Sequence, residues 1–74
     1  MNEAQKQAVL AAIGIIVETV EEMGELGAPE GPMYAALMGA GISLDQFNQL
    51  VALAVKTGKI RKSGHVLYPV INKY

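Results

Sequence analysis

The chain has 74 residues, no cysteine, one histidine and a formal charge of −1, with 51% hydrophobic and 18% charged residues. That describes one small domain with a thin core, because a chain of this length buries only about 60% of its unfolded surface. Disulfides and a cysteine–histidine metal centre are both closed to it as staples, which leaves self-association as a source of added stability; the lack of cysteine fits a reducing cytoplasm.

Residues 3–23 contain no helix breaker, and Val9, Ile13, Ile16, Val17 and Val20 recur at three- and four-residue spacing, so a first helix is predicted over about 3–23. The apolar run within it, Ala8–Val17, is too short for a membrane span, which needs about 20 residues. It is flanked by Glu3, Glu18, Glu21 and Glu22 rather than by the basic start of a signal peptide, so it reads as part of a folded helix. Ala8, Ala11 and Ile15 lie opposite the core stripe. Two readings of them are open: a homodimer contact through this helix, or alanines that merely raise helix propensity beside an ordinary surface isoleucine. The acidic second half of the helix would repel a phosphate backbone.

Residues 24–31 are dense in glycine and proline and read as a loop within the domain. Pro29 biases Ala28 toward an extended conformation, where a short strand can lie against the later hairpin. The glycines lack the Lys-Ser/Thr ending of a phosphate loop. A second helix is predicted over about 32–38, with Pro32 at its first position, Tyr34, Leu37 and Met38 on one apolar side, and Met33 and Met38 filling gaps in the core. Gly39 and Gly41 stop it and leave a tight turn into the next helix, a helix-turn-helix arrangement.

The third helix is predicted over about 44–57. Ser43 and Gln46 form a capping box at its start, and Gly58 offers the left-handed conformation that closes it. At 100° per residue, Leu44, Phe47, Leu50, Val51, Ala54 and Val55 form the core face, and Asp45, Asn48, Gln49, Ala52 and Lys56 the outward face. Asn48 and Gln49 have the amide groups that pair with an adenine edge, and Lys56 suits a phosphate or a guanine. Asp45 also suits the positive end of the helix dipole, and the whole outward stripe is equally readable as a solvated face.

A hairpin is predicted over 59–69, with Ser63-Gly64 as its two-residue loop. That pairing sets Ile60 against Leu67 on the inner face and Arg61 against Val66, with Lys59 against Tyr68. Lys62 and His65 then meet at the tip. Four of the six basic residues, Lys56, Lys59, Arg61 and Lys62, fall within seven positions. In a chain that is acidic overall, this is an electrostatic footprint for phosphate, with Tyr68 and His65 beside it. Lysines also block sheet edges from pairing with other chains, which is the plainer use of such a run. Val70 and Ile71 are expected to add a last apolar contact, with residues 72–74 fraying.

No catalytic set is found: His65 has no acidic neighbour in sequence, and the glutamates are spaced as an exposed helix face. No enzyme activity, cofactor or metal is expected.

The order long helix, glycine–proline loop, short helix, turn, capped helix and basic hairpin resembles the winged helix-turn-helix family, most clearly in SLDQFNQLVALAVKTGKIRKSGHVLYPV. The resemblance implies an α+β fold of three helices with a C-terminal β-hairpin wing. It also implies DNA binding, as a transcriptional regulator or accessory DNA-binding factor. By position it assigns Asn48, Gln49 and Lys56 to the groove-facing helix and Lys59, Arg61, Lys62 and His65 to the wing. The chain departs from the family in an outward helix face without arginine. That departure keeps a second expectation in place, a winged-helix module that binds a protein partner without nucleic acid.

Overall fold

Capping at both ends defines α1 (Glu3–Met23): Asn2 and Gln5 form a reciprocal capping box at its start, and Gly24, at φ 58°, ends it. In this computed structural model, which describes residues 2–70, a single 3-10 turn over Gly24–Leu26 follows, then β1 (Ala28–Pro29), α2 (Glu30–Met38), α3 (Leu44–Lys56), β2 (Ile60–Ser63) and β3 (Val66–Pro69). The architecture is therefore α+β, three helices with one antiparallel sheet in the order β1-β3-β2. The expectations for residues 71–74 lie outside the described residues. No helix among those described is long and apolar enough to cross a membrane.

The core lies where α1 and α3 meet each other and the inner face of the sheet. Ile16, Val17 and Val20 of α1 pack with Phe47, Leu50, Val51 and Ala54 of α3, with Met33 of α2, and with Ala28, Ile60 and Leu67 of the strands. The periodic stripe of α1 thus faces inward as predicted. Tyr34 tilts against Phe47, ring centroids 5.4 Å apart, which fixes α2 on α3. Two residues assigned to apolar faces are instead exposed. Leu44 is the first residue of α3, ahead of the turns that pack, and Met38 is the last of α2, where the chain turns away through Gly39 and Gly41.

The second helix starts two residues earlier than expected. Pro29 is its N-cap and Pro32 its third residue, still within the first turn, where a missing amide proton breaks no helical bond. The start is fixed by Glu30, whose amide donates to the His65 carbonyl at 2.9 Å, continuing the ladder between β1 and β3. The short strand at Ala28 forms as expected, pairing with Leu67.

The capping box of α3 also forms, with the Gln46 amide donating to Ser43 Oγ at 3.2 Å and the Ser43 amide to Gln46 Oε1 at 2.9 Å. Past the helix, Gly58 takes φ 81°. The Lys59 amide then donates to Thr57 Oγ1 at 3.2 Å, and the chain enters β2.

The hairpin register corrects the expected one. Ile60 pairs with Pro69, Arg61 with Tyr68, Lys62 with Leu67 and Ser63 with Val66, so the two loop residues are Gly64 and His65. The cause is backbone handedness: a two-residue loop needs a positive φ at its first position, which Gly64 supplies at 62° and Ser63 would adopt only with strain. Ile60 and Leu67 still face the core. Lys62, two residues on from Ile60 and so on the same face, pairs with Leu67 at the rim of the core.

Candidate nucleic-acid interface

Each basic residue of the hairpin region has its own surroundings. Lys56 closes α3 and is exposed, near the negative end of the helix dipole. Lys59 is exposed just before β2 and borders a shallow hollow of about 440 Å³ whose other walls include Leu10, Ile15, Glu18 and Glu21 of α1. Arg61 lies across the sheet from Tyr68, its guanidinium carbon 4.5 Å from the ring centroid. Such a contact contributes roughly 0.5–1 kcal/mol at an exposed site and holds the guanidinium in a fixed place.

Tyr68 is thereby engaged by its own chain. Besides Arg61, it abuts Gly27, where a Cβ would come within 2.7 Å of its ring and 2.5 Å of Val66. The loop after α1 thus closes on the outer face of β3, and the ring is half-buried rather than presented as a free stacking platform.

Lys62 and His65 converge on one carboxylate. Lys62 Nζ and His65 Nδ1 each lie 3.5 Å from Glu30 Oε1. Glu30 is the one buried charged or polar residue among those described, 8% exposed, and its Oε2 is buried without a hydrogen-bond partner. Sequence reasoning missed Glu30. An acid in the first turn of a helix is a readable signal, but its partners follow from the hairpin register, and the expected register put Lys62 opposite His65 instead.

On α3, Asp45, Asn48, Gln49, Ala52 and Lys56 are all exposed, as the helical count predicts. Asn48 and Gln49 make no side-chain hydrogen bond among the described residues, so their amides are available. They do not share one setting. Gln49, with Leu50 and Leu53, borders a second shallow hollow of about 460 Å³ that α3 forms with Val9 and Ala12 of α1. Leu53 is 41% exposed there, an apolar neighbour the outward stripe did not include.

The proposed dimer residues run between the two hollows: Ala8 borders the one beside α3, and Ala11 and Ile15 the one beside Lys59. Ile15 is 52% exposed and Leu10 59%, so α1 carries more bare apolar surface than the alanines alone suggest.

Neither the family models, the curated proteins nor the solved structures that were compared with this chain include a match to it. The functional reading therefore stands on the residues and geometry above.

Proposed function

We propose that this chain is a cytoplasmic winged helix-turn-helix domain that binds duplex DNA without catalysing a reaction, as a transcriptional regulator or accessory DNA-binding factor. The observation that carries the reading is the placement of four of six basic residues on the end of α3, the link that follows it and the edge strand β2. The element order and the antiparallel β1-β3-β2 sheet support the winged-helix reading. Asn48 and Gln49 would face base edges from α3, and Lys56, Lys59 and Arg61 the phosphates. Arg61 stands over the Tyr68 ring, which favours one placement of its guanidinium by about 0.5–1 kcal/mol.

Three phosphate contacts give a log–log dependence of affinity on salt with a slope of about −2.7 on B-DNA. Fluorescence anisotropy with a random-sequence duplex measures it. Binding that does not change with salt, or no binding at low ionic strength, would sink the reading. Replacing Arg61 and Lys62 together with alanine should flatten the slope.

A second reading is favoured by the exposed Leu10, Ile15 and Leu53 around α1: a protein-interaction module, or a homodimer through the first helix. It predicts a protein partner retained at high salt, because apolar contacts do not weaken as screened charges do.

A further inference from the structure

We propose that Glu30 is a built-in competitor for the phosphate backbone, holding Lys62 of β2 and His65 of the hairpin loop so that the free protein withholds these two side chains from a polyanion. The inference rests on the DNA-binding reading above. Three observations carry it. The carboxylate is buried, and the two side chains that reach it, each at 3.5 Å, are hairpin residues that the winged-helix resemblance would assign to DNA. The main chain fixes the same junction, since the Glu30 amide donates to the His65 carbonyl at 2.9 Å, so the tip cannot swing away without breaking a ladder bond. The second carboxylate oxygen, Oε2, is buried and has no hydrogen-bond partner among the described residues, so Lys62 and His65 are the side chains that face this carboxylate's charge.

The consequence is an energetic tie rather than a steric block. The Lys62 side chain is 43% exposed and that of His65 95%, so a phosphate can reach both. Drawing them off Glu30 leaves an uncompensated charge in a buried place, which opposes the exchange. His65 adds to the tie only when protonated. Among the described residues, Lys56, Lys59 and Arg61 have no such partner and carry the phosphate contacts alone.

The test compares the full chain with Glu30→Gln and Glu30→Met, using Glu25→Gln as a control that removes one acid from the exposed turn before β1 without touching the tip. Binding of a random-sequence duplex is measured across a salt series. Freeing Lys62 adds about one phosphate contact, so both Glu30 variants should steepen the slope from about −2.7 to about −3.6 and tighten binding about eightfold at 0.1 M salt relative to the parent. Adding Lys62→Ala to Glu30→Gln should return the slope to the parent value. Equal effects of Glu30→Gln and Glu25→Gln, or weaker binding by the Glu30 variants, would overturn the inference while leaving the DNA reading intact. Absence of binding by every variant would overturn both. Far-UV circular dichroism identifies a variant that does not fold. Gln keeps the polar shape and Met fills the buried space without charge, so the folded one of the two decides the matter.

Discussion

Gly27 offers the sharpest test of how the hairpin is seated. It takes φ 80° and ψ 157°, a region that side-chain-bearing residues reach at a cost of about 1–3 kcal/mol. Its surroundings add a second cost, because a Cβ would meet Val66 Cγ1 at 2.5 Å and Tyr68 Cε1 at 2.7 Å. Overpacking of this kind typically costs a further 1–3 kcal/mol. Gly27→Ala should therefore lose about 2–6 kcal/mol, against a total of about 4–11 kcal/mol for a chain of this length. Gly58 is the internal control: its φ is 81°, nearly the same, but nothing lies within 4 Å of a Cβ there. Gly58→Ala should cost only the backbone share, about 1–2 kcal/mol. Urea unfolding of the parent and both variants reads the difference directly. A Gly27→Ala loss equal to that of Gly58→Ala would mean that the loop does not close on β3 and that Tyr68 is not held as described.

The remaining predictions concern the helix start, the outer face and the first helix. Ser43→Ala removes one half of the capping box and should cost about 1 kcal/mol in a urea melt, with Gln46→Ala partly mimicking it. Tyr68→Leu keeps apolar bulk but removes the ring under Arg61; on the DNA reading it should weaken duplex binding by a few-fold while changing the salt slope little, since no charge is lost. Ile15→Glu should turn a concentration-dependent sedimentation profile into a monomeric one if α1 forms the dimer contact, with little loss of fold because the residue is half exposed.

The helices were the legible part of this chain, for a physical reason. A 3.6-residue period repeated over about three turns marks the buried stripe of α1 through Ile16, Val17 and Val20, and a capping box announces the start of α3 at Ser43. The box at Asn2 and Gln5 has the same three-residue spacing and starts α1 in the same way. The hairpin was legible only in outline. Its register turns on which residue of Ser63-Gly64-His65 takes a positive φ first, and a one-residue move of the loop changes the partner of Lys62 from His65 to Leu67. With that move the candidate site changes composition: Glu30, 32 positions before Lys62, enters it, and Tyr68 acquires Arg61 as its cross-strand partner. Periodicity along one element cannot reveal such pairings, because they depend on contacts between elements.

The central claim is that positive charge on the end of α3 and the hairpin meets a nucleic-acid backbone. An amide NMR titration of the full chain with a random-sequence DNA duplex at low salt tests it most directly. Shifts confined to α3, the hairpin and the hollow beside Lys59 are expected, strongest from Lys56 to Lys62, with Glu22 of α1 unmoved. Shifts centred on Leu10 and Ile15, or an unchanged spectrum at saturating duplex, would contradict it.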